Sequence, residues 1–263
     1  MAGRGFRLAR EGCSRRALLL GLGAACLVPR PALAFGQAGV FHPRLLVTGG
    51  RVPSGARATG PGRWAWEVIQ RTSAPARLGA LSVAADRSEL LAEPFVLWIG
   101  ETEVPPLTGA ELRGLQRFLR LGGVLVVDDS NPERGAFATS VRRELARVLP
   151  EAPLVKLGAD HVIYKTFYLI DRPVGRVLGA PYVEAVVRNR NAQVVLLSHD
   201  LMGALARGRN GGWALEVTPG GPRQREHAVR LAVNLAMYLL CSDYKDDQVH
   251  APWLMRRRAP RSP

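Results

Sequence analysis

The sequence is poor in cysteine, and this scarcity excludes several kinds of site. Cys13, Cys26 and Cys241 are the three cysteines of the 263 residues, and no two of them have the short spacing of a structural zinc site. A chain cleaved after Ala34 would keep Cys241 alone and could form no internal disulfide. We therefore interpret Cys241 as a small buried hydrophobic residue within a helix.

Motifs that would assign a reaction are also absent. The sequence contains no Gly-x-Gly-x-x-Gly fingerprint, no Gly-Lys-Ser/Thr of a P-loop, no Gly-x-Ser-x-Gly elbow and no His-Glu-x-x-His zinc motif. The glycine-rich stretch 49–63 has the composition of a phosphate-binding loop, but its spacing matches neither nucleotide motif. We interpret this stretch as a loop at the edge of a cleft, and we predict no cofactor.

Long apolar runs are missing as well. The run Ala17–Val28 has 12 residues, whereas a helix needs about 20 to cross a membrane. Basic residues precede this run and small residues follow it, so residues 1–34 are predicted to be a signal peptide cleaved after Ala34. The pair Arg15-Arg16 resembles a twin-arginine signal, which implies a periplasmic or otherwise exported protein with no membrane span after cleavage. A retained anchor and a lipidated Cys26 are the alternatives.

The net charge of +14 is unevenly distributed along the chain. Residues 1–34 carry +5 and residues 256–263 carry +4, which leaves +5 for residues 35–255. The arginines are spread over the predicted helices, and the sequence has neither an aromatic-rich basic stripe nor a nucleic-acid motif. We therefore expect no nucleic-acid partner, and we interpret residues 246–263 as a basic, disordered tail.

One stretch, Phe95–Ser130, predicts how the chain is organised. Phe95–Ile99 and Val124–Val127 are short apolar runs, which are typical of strands buried on both faces. Between them, apolar residues recur at a spacing of three and four, and Thr108 with Glu111 predicts a capping box at the start of a helix. Two buried strands joined by a helix indicate a parallel crossover.

The remaining segments predict a single domain over residues 35–245. Arg44–Thr48 is the first strand, and an apolar stripe predicts a helix over Arg225–Leu240. Val183–Val187 and Gln193–Leu197 predict a β-hairpin with a loop of about five residues. The predicted fold is α/β, a three-layer sandwich with a mainly parallel, flavodoxin-like sheet and one added β-hairpin.

Polar side chains stand where the predicted strands end. Glu101 follows the first strand of the central unit, and Asp128, Asp129 and Ser130 end the second. Because ligands of open α/β sheets bind at the carboxyl ends of the strands, these side chains are candidates for a ligand cleft. The later strand end and loop add three more candidates, which are His199, Asp200 and Trp213.

Three interpretations of these side chains stay open. Asp128 and Asp129 are neighbours on a strand and point to opposite faces, where they can serve a turn and a helix cap or act as a general base. Ser130 across the cleft from His199, with Asp129 as the third catalytic candidate, would suit a hydrolase. His199, Asp200 and Asp129 could instead hold a divalent cation, although the sequence has no metal motif and none is predicted.

Several spaced segments resemble the bacterial domain of unknown function 4159 family. The resemblance covers residues 41–240 approximately and implies a class I glutamine amidotransferase-like fold. It does not imply glutaminase activity, because those enzymes need a cysteine at the strand-to-helix elbow where this chain has Asp128, Asp129 and Ser130. The segments that carry the resemblance are GGVLVVDDS, FATSVRRELARVLPEAPLVKLGADHVIYKTFY, VEAVVRNRNAQVVLLSHDLMG, GGW and VRLAVNLAMYLL.

The resemblance also implies a role in the cell envelope. Related genes often lie beside those for MoxR-type ATPases and von Willebrand factor A domain proteins, so other envelope proteins are the implied partners. Together with the missing nucleophile motif, this predicts an exported, non-catalytic module that binds a ligand or a protein at the strand ends. A hydrolase that acts on an envelope substrate is the alternative.

Overall fold

The computed structural model describes the backbone of residues 39–258 and the side chains of residues 39–241. The predicted signal peptide, with Arg15, Arg16 and the cleavage position after Ala34, lies outside the described residues. The described residues belong to one compact unit. Among them, no helix is both long enough and apolar enough to cross a membrane.

The described part of the chain forms one seven-stranded sheet. Its strands are β1 (Arg44–Val47), β2 (Leu81–Ala84), β3 (Phe95–Gly100), β4 (Val124–Asp129), β5 (Val155–Lys156), β6 (Glu184–Arg188) and β7 (Asn191–Leu197). The strand order is β2-β1-β3-β4-β7-β6-β5. The first five strands in this order, from β2 to β7, pair in parallel. β6 pairs antiparallel with both of its neighbours, β7 and β5. This sheet is the mainly parallel one that the sequence predicts.

Helices cover both faces of the sheet, so the predicted three-layer α/β sandwich is confirmed. The helices are α1 (Gly60–Arg71), α2 (Gly109–Arg120), α3 (Ala136–Val148), α4 (Leu201–Leu205) and α5 (Gly221–Arg258). Buried side chains of α2 and α3 pack on one face of the sheet, and those of α1, α4 and α5 pack on the other. The buried Trp64 of α1 also donates a hydrogen bond from Nε1 to the carbonyl of Ala232 in α5, at 2.7 Å. This bond satisfies the polar atom of an otherwise apolar core residue.

The central crossover has the predicted form. β3 and β4 pair in parallel from Phe95 opposite Val124 to Gly100 opposite Asp129. At the start of α2, the Thr108 backbone N–H donates to Glu111 Oε2 at 2.9 Å, and the Glu111 N–H donates to Thr108 Oγ1 at 3.3 Å. These two bonds are the reciprocal contacts of a capping box, so the predicted box is confirmed.

The order of the strands creates a switch point between β1 and β3. β2 lies on one side of β1, whereas β3, the next strand in the chain, lies on the other side. Crossovers on the two sides of such a point lead away from each other, which leaves a crevice at the carboxyl ends of the two strands. In this sheet that crevice lies next to Thr48, which follows β1, and Gly100, which ends β3.

The hairpin is present, but its predicted five-residue loop is wrong. Arg188 pairs with Asn191, so two residues make the turn. These residues are Asn189 and Arg190, with φ of 50° and 67°. Positive φ at both positions is the type I′ pattern, which matches the twist of the paired strands. Asparagine adopts this conformation readily. The sequence does not indicate which two residues form the turn, because every residue of the polar run Arg188–Asn191 is of a type common in loops.

Three further details differ from the sequence predictions. α1 begins at Gly60, inside the stretch 49–63 that was predicted to be a loop. α5 begins before the predicted Arg225, and its backbone runs to Arg258, into the segment predicted to be a disordered tail. Cys241 is exposed rather than buried, because it lies on the solvent side of α5.

Candidate functional site

An open cleft lies at the switch point of the sheet. Its volume is about 380 Å³, within the range of roughly 300–1,000 Å³ that is typical of small-molecule sites. The cleft is formed by the carboxyl ends of β1, β3 and β4 and by the glycine-rich segment that follows β1. Its polar and charged lining residues are Thr48, Arg51, Ser54, Arg57, Glu101, Thr102, Glu103 and Ser130.

The floor of the cleft is apolar and tightly packed. Trp98 and Phe137 line it and are almost fully buried, and their rings meet edge to face with centroids 5.9 Å apart. Gly100 permits this packing, because a Cβ at that position would lie 2.3 Å from the Phe137 ring. The end of β3 therefore needs glycine for the floor to pack in this way.

The rim of the cleft carries side chains of both charges. Arg51 is exposed, and no carboxylate pairs with it within residues 39–241. Glu101 is also exposed, and its Oε2 lies 3.6 Å from Nη1 of Arg57. Glu103 pairs with Arg143 of α3 at 2.8 Å. Arg51 and Glu101 therefore offer a ligand one free cation and one weakly paired carboxylate.

Arg57 links the cleft to the buried end of β7. Its Nε donates to Asp200 Oδ1 and its Nη2 donates to Asp200 Oδ2, each at 2.8 Å. Nη2 also donates to the carbonyl of Ser130 at 3.1 Å. The paired bonds to Asp200 form a fork that fixes the orientation of the guanidinium group. This fork raises the pKa of Arg57 above its ordinary value, chiefly through the hydrogen bonds to Asp200.

Asp200 is fully buried and has no lone pair left for a ligand. Besides Arg57, it accepts hydrogen bonds from Nε of Arg176 and from the backbone N–H of Gly203 in α4. Its backbone is in the left-handed region, with φ of 52°. A non-glycine residue in this conformation is held there by its surroundings. Asp200 therefore stabilises the loop between β7 and α4.

Asp128 holds the start of the same helix. Its Oδ1 accepts from the Leu201 N–H at 2.8 Å and its Oδ2 accepts from the Met202 N–H at 2.7 Å. These are two of the N–H groups that a helix leaves unpaired in its first turn. Complete burial raises the pKa of Asp128 to about 8, with a further contribution from the charge of Asp200, against the opposing effect of the two N–H groups.

Asp129 points to the opposite face, toward α3. Its Oδ1 accepts from the backbone N–H of Asn131 at 2.9 Å, and its Oδ2 is buried without a hydrogen-bond partner in the part of the chain that the structure describes. Burial raises the pKa of Asp129, and the hydrogen bond from the Asn131 N–H acts against this shift. The two neighbouring aspartates therefore serve a helix cap and a turn on different sides of the sheet.

His199 is buried on the far side of the strand ends. Its Nε2 lies 2.7 Å from the carbonyl of Ala180, which can only accept, so Nε2 carries the proton. Nδ1 is buried and has no hydrogen-bond partner among residues 39–241. Burial lowers the pKa of His199 to about 4. Gly179 covers the ring, with φ of +58° and no room for a Cβ, which would lie 1.8 Å from the carbonyl of Ser198.

The structure thus brings together only some of the predicted site residues. Glu101 and Ser130 line the cleft. Asp128 and Asp200 lie together beneath it, while Asp129 and His199 face α3 and the Ala180 carbonyl. Within residues 39–241, Ser130 Oγ has no hydrogen bond to a histidine or a carboxylate, and no group of three His, Cys, Asp or Glu side chains could hold a metal ion.

Trp213 lies outside the cleft, among arginines. The residue is 41% exposed, and the guanidinium carbons of Arg207 and Arg225 are each 4.4 Å from its ring centroid. Arg63 of α1 lies 4.9 Å from the same centroid. Trp213 therefore does not border the cleft in which the sequence placed it.

Sequence reasoning missed Arg51 and Arg57, which shape the cleft. Both belong to the stretch 49–63, which was interpreted as a loop at a cleft edge without any assigned residue. The sequence does contain a signal for them. Basic residues in the loop after the first parallel strand lie at the carboxyl end of that strand, where open α/β sheets bind ligands. The partner of Arg57 could not be found in this way, since Asp200 is 143 residues away along the chain.

Comparison with known proteins places the chain in a family. The family model described as "Domain of unknown function (DUF4159)" matches residues 46–240. The chain belongs to this family, as the resemblance of its spaced segments predicts. No curated protein matches the chain.

Proposed function

We propose that this member of the DUF4159 family is an exported, non-catalytic module of the cell envelope that binds a ligand in the cleft between β1 and β3. The observation that carries the proposal is the division of polar groups at the strand ends. The open cleft has an unpaired cation and an exposed carboxylate at its rim, whereas the buried aspartates below it are occupied by helix N–H groups and arginines. A site with this division offers groups for binding, and among the described residues Ser130 and His199 do not form a nucleophile–base pair.

The contacts of the catalytic candidates support binding rather than hydrolysis. A hydrolase needs a base within hydrogen-bond reach of its nucleophile, and a third group that orients the base. Ser130 Oγ lacks such a contact among the described residues, and the His199 Nε2 proton is directed at Ala180. Burial lowers the pKa of His199 to about 4, so the ring is neutral at neutral pH. Its Nδ1 is buried and has no hydrogen-bond partner within residues 39–241.

The cleft suits a polar ligand with several hydrogen-bonding groups. Arg51 can pair with an acidic group, and Glu101 can accept from hydroxyl or amino groups. Hydroxyl side chains of Thr48, Ser54 and Thr102 add donors and acceptors around the apolar floor. Acidic amino sugars and short peptides of the cell wall have this combination of charges, so we assign the ligand to this class.

The location and the partners in this proposal depend on the N-terminal sequence and on the family resemblance. Residues 1–34 have the pattern of a cleaved signal with Arg15-Arg16, which supports export. The implied gene neighbourhood of MoxR-type ATPases and von Willebrand factor A proteins supports partners at the envelope. In this proposal the cleft binds the small ligand, and a partner protein senses the occupied state.

A thermal-shift screen of the purified protein against soluble cell-wall glycan and peptide fragments tests the proposal. A ligand that binds the folded state alone stabilises it by about 2.7 kcal/mol at a hundredfold excess over Kd. We expect at least one fragment to raise the melting temperature and Arg51→Glu to abolish the rise. Since Arg51 makes no ion pair within residues 39–241, the unliganded variant should have the same melting temperature as the unliganded original protein.

Arg120→Glu is the matched control, because Arg120 is an exposed arginine of α2 that does not line the cleft. This variant should keep the full ligand response. Equal loss of response in both variants would show a general charge effect and would contradict a cleft site. Turnover of any fragment, detected by mass spectrometry of the same samples, would overturn the non-catalytic part of the proposal.

A further inference from the structure

We propose a second binding site, separate from the cleft, in which Arg63, Arg207 and Arg225 around Trp213 bind a phosphoryl group. We call these four residues the arginine–tryptophan cluster. The adjoining surface depression has a volume of about 500 Å³ and shares no lining residue with the cleft. The proposal does not depend on the function proposed for the cleft.

The cluster holds three cations against one exposed aromatic ring. The guanidinium carbons of Arg207, Arg225 and Arg63 lie 4.4, 4.4 and 4.9 Å from the Trp213 ring centroid. Arg63 also stacks on Trp66 at 3.9 Å, so it lies between two indoles. Stacking on a ring fixes the plane of a guanidinium group and leaves its N–H edge free to donate.

Carboxylates do not balance these charges. Arg63 pairs with Glu67 at 2.5 Å, but Glu67 also pairs with Arg71 at 2.7 Å. Arg225 donates to the carbonyls of Ala204 and Leu215, which carry no net charge. Within residues 39–241, no carboxylate lies in ion-pair distance of Arg207 or Arg225. The cluster therefore has an excess of positive charge on a surface accessible to ligands.

The lowered pKa values of two arginines agree with this excess of positive charge. Burial lowers the pKa of Arg207 and of Arg225, and the like charge of a neighbouring arginine lowers each further. The neighbour is Arg63 for Arg207 and Arg207 for Arg225. For Arg207 the charge of Glu67 acts against this shift without reversing it. An anion bound between the guanidinium groups would remove this repulsion, which is the favourable electrostatic change that binding needs.

The depression beside the cluster gives an anion a place to bind. Its lining includes Arg63, Trp213 and Arg225, together with Gly221 and Pro222 at the start of the 38-residue helix α5. The start of a helix carries a partial positive charge that adds to that of the arginines. Three acids also line it. Glu67 is held by Arg63 and Arg71, and Glu226 is held by Arg71 and Arg230. The third, Glu216, is exposed.

A phosphoryl group fits these donors better than a neutral sugar does. Guanidinium groups bind phosphate oxygens through paired, charge-assisted hydrogen bonds. Three arginines crowd the indole of Trp213, so they hinder a sugar ring from stacking there. Free phosphate esters and the headgroups of anionic phospholipids share the required chemistry, and the experiment distinguishes these two sources.

Titration calorimetry of the purified protein with inorganic pyrophosphate tests the site. We expect saturable binding, and we expect Arg207→Gln to weaken it about tenfold, the effect of losing one charge-assisted hydrogen bond. Arg207 is the residue to change, because its guanidinium group donates no hydrogen bond to the rest of the fold among residues 39–241. Arg120→Gln removes an equal charge from α2, outside the cluster, and should leave the affinity within about twofold.

Vesicles identify the source of the phosphoryl group. Sedimentation with vesicles of phosphatidylglycerol and phosphatidylcholine that pyrophosphate reverses, and that Arg207→Gln weakens, would support the site and assign a lipid headgroup. Pyrophosphate binding without sedimentation would support the site and assign a soluble phosphate ester. Absence of saturable pyrophosphate binding would overturn the proposal, as would equal weakening by Arg207→Gln and Arg120→Gln.

Discussion

Charged side chains stand at the strand ends in two regions of this sheet, and they are buried in one region and exposed in the other. At the ends of β4 and β7, Asp128 and Asp200 are fully buried, and helix N–H groups and arginines occupy their oxygens. At the ends of β1 and β3, Arg51 and Glu101 are exposed at the rim of an open cleft. Polar side chains at strand ends thus do not by themselves mark a binding site, and the number of partners they already have decides their role.

Topology explains why the regions differ. β4 and β7 are neighbours, and the short helix α4 follows β7 directly, so its first N–H groups need acceptors at that place. β1 and β3 are separated in the chain by a crossover to β2 on the other side, so no helix of the described residues begins above both of them. Arg57 joins the two regions, with Asp200 at 2.8 Å and Glu101 at 3.6 Å from its nitrogens.

The largest effect is expected from Asp200→Asn. The change removes the negative charge of Asp200 and leaves the positive charges of Arg57 and Arg176 in place. Breaking a buried ion pair in this way lowers the free energy of unfolding by about 3–5 kcal/mol. Urea unfolding followed by circular dichroism should show this loss in the free energy of unfolding. Asp171→Asn is the control, since Asp171 is exposed and should shift the free energy by less than about 0.5 kcal/mol.

Asp128 should make stability depend on pH in the opposite direction from an ordinary paired aspartate. Burial raises its pKa in the folded protein to about 8 from an ordinary value of 3.8. The folded state therefore binds more protons than the unfolded state between these values, and its free energy of unfolding falls as the pH rises. Asp128→Asn should flatten this decline, measured from pH 6.5 to pH 9. An unchanged slope in the variant would assign the decline to another group.

His199 should also make stability depend on pH, but in the acid range and in the opposite direction, with the free energy of unfolding falling as the pH falls. Its pKa falls to about 4 in the folded protein from an ordinary 6.5. Its stabilising contribution is thus complete above pH 6.5 and is lost as the pH falls through 4, by about 3–4 kcal/mol in total at roughly 1.4 kcal/mol per pKa unit. His199→Gln should lose less stability over this range, whereas the exposed His227→Gln should follow the original protein.

The smallest effect is expected at the cleft rim. Glu101→Gln changes an exposed carboxylate that lies 3.6 Å from Arg57, and such surface pairs contribute about 0–1 kcal/mol. Its free energy of unfolding should stay within about 0.5 kcal/mol of the original value. A loss comparable to that of Asp200→Asn would show that the rim, too, supports the fold, and the contrast between the regions would fail.

The sequence predicted the central unit because its signals are local. The capping box of Thr108 and Glu111 and the apolar runs of β3 and β4 lie within Phe95–Ser130, and each has one simple interpretation. The site was only partly predictable, because its contacts join distant segments. Arg57 with Asp200, Asp128 with Leu201, and Trp213 with Arg63 depend on the packing of α1, α4 and α5 and leave no spacing pattern.

The central claim is that the buried strand-end carboxylates serve the fold, and a double-mutant cycle tests it most directly. The free energy of unfolding would be measured for the original protein, Arg57→Gln, Asp200→Asn and the double variant. Residues in one buried network couple by about 0.5–3 kcal/mol, so the double variant should lose less stability than the two single losses added together. Strictly additive losses, or single variants as stable as the original protein, would contradict the claim and would leave Asp200 available for ligand chemistry.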